Sequence, residues 1–147
     1  MSLLIKFTPE QVIKEWNVIG KAIEESLPDT LSREHVTMES VLHSILTERS
    51  YIWGYFKDKN AGLPALFVMT TVTFDPVSMR ESLLIYSIYA YEQMQHSDWV
   101  EILETLKEYA RGLGCVNLTG YTSVVEIMKL VKMLDGQIHQ AFLEFPL

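Results

Sequence analysis

Between Glu81 and Gly136 the spacing of apolar residues alternates twice between strand-like and helical, and this constrains the fold more than any other feature. Leu83–Tyr91 is an almost unbroken apolar run, the pattern of a strand covered on both faces. A loop, Glu92–Ser97, leads into a helix over Asp98–Arg111. Its stripe of Trp99, Ile102, Leu103, Leu106 and Ala110 lies opposite Glu101, Glu104, Lys107, Glu108 and Arg111. Cys115–Tyr121 reads as the next strand and Ser123–Leu134 as the next helix, so the second half is built of strand–helix units.

The junction inside this stretch, Met94-Gln95-His96-Ser97-Asp98-Trp99, is where such a chain would bind an anion. Free N–H groups and the positive end of the helix dipole converge where a strand feeds a helix. Here the junction has no glycine, no Lys and no Arg, and it carries a carboxylate. Asp98 with Glu101 predicts a D-x-x-E capping box, with Ser97 as the alternative cap.

The first half has a different texture. Leu3–Phe7 is a short apolar run, and Thr8, Pro9 and Gln11 predict a capped helix running to about Ser26. A second helix is expected from Thr37 to Glu48. Tyr51–Lys57, Ala65–Phe74 and Leu83–Tyr91 then follow as an antiparallel meander, with turns at Asp58–Gly62 and Asp75-Pro76. A last strand is expected at Ile138–Phe145. At 147 residues this makes one domain of α/β (α+β) class, a mixed but mostly antiparallel sheet with helices on both faces.

Charge and composition exclude several functions. A net charge of −7 with no Lys/Arg cluster argues against a nucleic-acid surface. A lone cysteine, Cys115, gives no intramolecular disulfide and no cysteine-based zinc site, and it reads as a buried small hydrophobe. His35, His43, His96 and His139 show no ligand spacing, so no metal is expected. No run of 18 apolar residues predicts a membrane span, and the expected location is cytoplasmic.

Residues of the second half carry a resemblance. Tyr109-Ala110-Arg111-Gly112-Leu113-Gly114-Cys115 is similar to the A-x-x-x-G-C end of the central helix in the GNAT (Gcn5-related N-acetyltransferase) superfamily. Gly120-Tyr121-Thr122-Ser123 with Leu130–Leu134 resembles that family's N-x-x-A-x-x-L-Y-x-K-x-G segment, and the expected order β-α-α-β-β-β-α-β-α-β is also the family's. The resemblance implies splayed fourth and fifth strands with acetyl-CoA lying in the V between them. It also implies a pyrophosphate loop of form R/Q-x-x-G-x-G/A. At those positions this chain has Met94, Ser97 and Trp99, while Val131 stands where the family often places a tyrosine acid.

Two functions follow from the resemblance. The first is a degenerate, phage-type member without a cofactor, working through protein partners in assembly, located in the host cytoplasm or the virion. It includes self-association through the edge at Ile138–Phe145. The alternative is a divergent acetyl-CoA-dependent N-acetyltransferase acting on an amine. There Glu92 is the general base and Tyr121 the acid, while Tyr89, Tyr91, Gln95, His96, Ser97 and Asp98 line the acetyl-CoA site. That alternative requires Trp99 to point into the core. On burial grounds Glu92 reads otherwise as a solvated strand-end carboxylate, and Tyr86, Tyr89 and Tyr91 as core.

Overall fold

The computed structural model describes residues 2–28, 36–58, 60–122, 125–139 and 143–147. Among these, the elements in chain order are β1 (Leu3–Lys6), α1 (Pro9–Lys14), α2 (Trp16–Ser26), α3 (Met38–Leu46), β2 (Ser50–Phe56), β3 (Leu66–Asp75), β4 (Arg80–Ala90), α4 (His96–Gly112), β5 (Asn117–Gly120) and α5 (Val125–Met133). The five strands form one sheet in sequence order. The first four are antiparallel, and β5 joins β4 in parallel, so the expected fold class holds.

Strict alternation along β2 and β3 divides the interior in two. Ile52, Phe67 and Met69 face α1, α2 and α3, where they meet Val12, Ile19, Ala22, Ile23, Val41 and Ile45. Trp53, Tyr55, Leu66 and Val68 face α4, where they meet Leu4, Ile102 and Leu106. Each face therefore has its own apolar core, with the sheet as the wall between them.

The expected helix over Pro9–Ser26 is broken into two at Glu15, whose ψ of 22° leaves the helical region. Beyond the break, the Trp16 indole folds over Gly20, where an added Cβ would lie 3.1 Å from the ring. The second expected helix, Thr37–Glu48, is shorter: Thr37 is its N-cap, with a reciprocal bond to Ser40, and the helix ends at Leu46.

Most strand expectations shift by only a residue or two, but β5 is cut to Asn117–Gly120, and β4 starts three residues early, at Arg80. The expected start of the last helix, Ser123, lies outside the described residues, as does His35. In the expected strand Ile138–Phe145, residues 138–139 and 143–145 carry no strand, and 140–142 lie outside the described residues.

The pairing of β4 positions the site. Ser82–Ile85 pair with Asn117–Gly120 of β5, and there β5 ends. On its other edge β4 stays paired with β3 as far as Ala90. The ladder slips by one residue at the same level, pairing Met69 with Ser87 and Thr70 with Ile85, which leaves Tyr86 as a bulge. A bulge bends its strand and increases its twist. Beyond Ile85, therefore, the β5-side edge of β4 has no strand partner among the described residues, and this unpaired edge stands where the resemblance places the V.

Candidate functional site

The V is bounded on the α4 face by the segment that links β4 to α4. Its two large apolar side chains turn inward: Met94 and Trp99 are half-buried against the second core. Gln95, His96 and Ser97 remain exposed. The helix starts earlier than the sequence predicts. Gln95, not Ser97 or Asp98, is the N-cap, and Asp98 is the third helical residue, its carboxylate reaching back to accept the Gln95 N–H at 2.8 Å. The N–H groups of Asp98 and Trp99 bond to the Gln95 carbonyl at 3.1 and 3.2 Å. Those of His96 and Ser97 have no partner among the described residues. They point out from the positive end of a 17-residue helix.

Asp98 weighed against an anion site in the sequence. The structure removes most of that objection, because its side chain is only 14% exposed and is ringed by donors. The buried Tyr55 hydroxyl, from β2, donates to Asp98 Oδ1 at 2.8 Å, and Lys57 Nζ lies 3.7 Å from Oδ2. Burial works against the charge, but the Gln95 N–H, Tyr55 and Lys57 outweigh it and hold the carboxyl below the usual carboxylate range. Tyr55 also lies 3.0 Å from Glu101 Oε2, which in turn accepts a hydrogen bond from Ser2. Desolvation, together with these two carboxylates, pushes the Tyr55 hydroxyl well above its ordinary value.

A cation is present after all. Lys57 follows β2, on a different element from the loop, and its ammonium bonds Glu92 Oε1 at 2.9 Å and the Gln93 carbonyl at 3.3 Å. The Glu92 contact leads in raising the Lys57 pKa. Sequence reading confined to the junction could not find Lys57. The available signal is that β2 and β4 run parallel, one strand apart, so their ends come together.

The other predicted residues fall into separate places. Glu92, with its side chain 55% exposed, turns to the α4 side and is held by Lys57. Tyr89 and Tyr91 lie together on the opposite face, their rings edge-on at 4.9 Å. Tyr89 and Tyr86 are half-buried against the first core, whereas Tyr91 is 49% exposed. Tyr121 is 58% exposed and follows the last β4–β5 pair by one residue. Glu92 follows that pair by seven residues (92 − 85), roughly 20 Å of extended chain. The two thus mark opposite ends of the opening. Burial pushes the Cys115 thiol up, with Glu81 adding to the effect, which keeps it protonated and unreactive. Among the described residues no group of three His, Cys, Asp or Glu side chains could hold a metal ion, and no helix is long and apolar enough to cross a membrane.

No protein-family model matches the chain, and no curated protein matches its sequence. Solved structures do match. AAC(6′)-Iy in complex with the bisubstrate analogue CoA-S-monomethyl-acetylneamine has a TM-score of 0.73 and 10% identity, over 99% of this chain and 97% of the other. A GNAT family acetyltransferase from Staphylococcus aureus gives 0.68 and 10%, over 99% and 98%. A predicted acetyltransferase from Clostridium acetobutylicum, with acetyl-CoA, gives 0.69 and 11%, over 99% and 96%. The chain therefore has the fold of the GNAT acetyltransferases.

The expectation of a chain without a cofactor is overturned by these neighbours, two of which are complexes with acetyl-CoA or a CoA conjugate. Nothing in the fold or its neighbours supports a phage origin or an assembly role, and the alternative, acetyl transfer, fits them better.

Proposed function

We propose that this chain is an acetyl-CoA-dependent N-acetyltransferase acting on an amine. The observation that carries the reading is the head of α4. The N–H groups of His96 and Ser97, exposed residues, have no partner among the described residues, while Trp99 is turned into the core. Backbone donors at a helix N-terminus suit a pyrophosphate without needing a glycine-rich loop when the side chains there point elsewhere. Of the acetyl-CoA positions expected from sequence, Gln95, His96 and Ser97 keep that role in this proposal. Asp98 instead shapes the turn from behind.

Acetyl-CoA supplies the activated acetyl group as a thioester. In the proposed reaction Glu92 accepts, through water, the proton that the amine loses as its nitrogen bonds to the acetyl carbon. The sulfur released when the carbon–sulfur bond breaks takes its proton from water, since Tyr121, expected from sequence as the acid, stands at the other end of the opening from Glu92. The products are the N-acetyl amine and CoA.

Calorimetry with acetyl-CoA and with desulfo-CoA tests the proposal. Micromolar affinity for both is expected, and no heat up to millimolar ligand would sink it. With binding established, Glu92→Gln is expected to lower kcat on the order of 100-fold, with little change in acetyl-CoA affinity. Full activity in Glu92→Gln would remove that residue from the reaction while leaving the cofactor site standing.

A further inference from the structure

The segment Glu92–Asp98 runs from just beyond β4 into the first turn of α4, and it carries the N–H groups proposed for the pyrophosphate. Backbone bonding does little to hold its first half. Among the described residues, the N–H groups of Glu92, Gln93 and Met94 have no backbone partner. Met94 packs on the second core, and the remaining tie comes from outside the segment.

That tie is Lys57, one residue beyond β2. Its ammonium meets Glu92 Oε1 at 2.9 Å, donates to the Gln93 carbonyl at 3.3 Å and lies 3.7 Å from Asp98 Oδ2. Glu92 and Asp98 are the two ends of the segment, so a single side chain closes it like a clasp. An ammonium has three donors, and three oxygens of the segment surround this one. Lys57 is therefore directed at the loop and not at a ligand. It takes only Oε1 of Glu92, which leaves Oε2 for water. The Asp98 end has a second anchor, because the Tyr55 hydroxyl donates to Oδ1 at 2.8 Å. The Glu92 end has no such second tie to β2 among the described residues.

We infer that Lys57 is a positioning residue of the cofactor site. It holds Glu92–Asp98 in one conformation, so that the His96 and Ser97 N–H groups are in place before a pyrophosphate arrives. A loop ordered on folding loses no further entropy on binding, and affinity rises accordingly. This inference rests on the acetyl-transfer reading.

The test is calorimetry with desulfo-CoA on the full chain, as wild type, Lys57→Met and Lys57→Arg, at about 50 and about 500 mM NaCl. Lys57→Met is expected to bind about fivefold more weakly, by the same factor at both salt concentrations, and Lys57→Arg to stay within about twofold of wild type. Hydrogen exchange separates positioning from a general loss of stability. The Asp98 and Trp99 amides, which bond the Gln95 carbonyl, are expected to exchange about tenfold faster in Lys57→Met, while amides of the β2–β3 ladder keep their rates. Unchanged desulfo-CoA affinity in Lys57→Met would overturn the inference and leave acetyl transfer standing. So would a loss confined to low salt, the mark of direct phosphate contact, a Lys57→Arg variant no better than Lys57→Met, or faster exchange throughout the ladder. No heat with desulfo-CoA in the wild type would overturn the acetyl-transfer reading, and the inference with it.

Discussion

Tyr55 is the side chain on which the candidate site depends. It is fully buried on β2, yet its hydroxyl reaches two carboxylates of α4, Asp98 and Glu101, and so fixes the first turn of that helix to the sheet. Tyr55→Phe leaves both acceptors without that donor and is expected to cost about 1–3 kcal/mol in chemical denaturation. Asp98 also gives a signed pH dependence. Its folded pKa lies below the unfolded value of about 3.9, so the unfolded chain takes up the proton first. The stabilisation is complete above that value and is lost as pH falls through the folded pKa. Denaturation midpoints at pH 7 and pH 3 are expected to differ less in Asp98→Asn than in the wild type, and the variant is expected to be the less stable of the two at pH 7. An unchanged pH dependence would show that Asp98 is not coupled to folding. The sequence could not assign this residue, because D-x-x-E and Q-x-x-D both fit the same seven positions. The choice is made by a hydroxyl 43 positions away.

Among the elements, α4 and the meander were legible because their apolar spacing is long and regular. The α4 stripe that faces the second core, Ile102, Leu106 and Ala110, is the one its periodicity gives. The break at Glu15 was not legible, since neither proline nor glycine marks it. Gly54 shows what an element can demand of one position. A Cβ there would stand 2.6 Å from the tip of the Phe7 ring, and that ring is boxed edge-on by Phe56 and Phe67. The ring has little room to yield, so Gly54→Ala is expected to destabilise the protein by about 1–3 kcal/mol, read as a lower denaturation midpoint with unchanged slope. A neutral result would mean that β1 and its following turn can shift away from β2.

At the scale of the whole molecule, two apolar cores lie on opposite faces of one sheet, the first under α1–α3 and the second under α4. The C-terminal third contributes less to either core: α5 has no buried residue, and Ile138, Leu143 and Phe145 are exposed. With no strand at 138–139 or 143–145 to offer an edge, we propose self-association through the exposed apolar side chains of Ile138, Leu143 and Phe145 instead. Light scattering at high concentration is expected to show a mass above that of one chain, and a monomer there would remove it.

The bulge at Tyr86 has a consequence for any comparison of this chain with another. Before it, the odd-numbered residues Leu83 and Ile85 pair with Val72 and Thr70; after it, the even-numbered Ile88 and Ala90 pair with Val68 and Leu66. All four partners sit at even positions of β3, so the parity of the α4-facing side chains on β4 reverses at one residue. The two halves of the strand are thus out of phase by one position. A relative without the extra residue would match this chain on only one side of Tyr86 unless a gap were opened there. Deleting Tyr86 would restore one regular alternation along the whole of β4, with Tyr89 still opposite Phe67 on the α2 face, and would remove the bend and the extra twist that the bulge gives the strand.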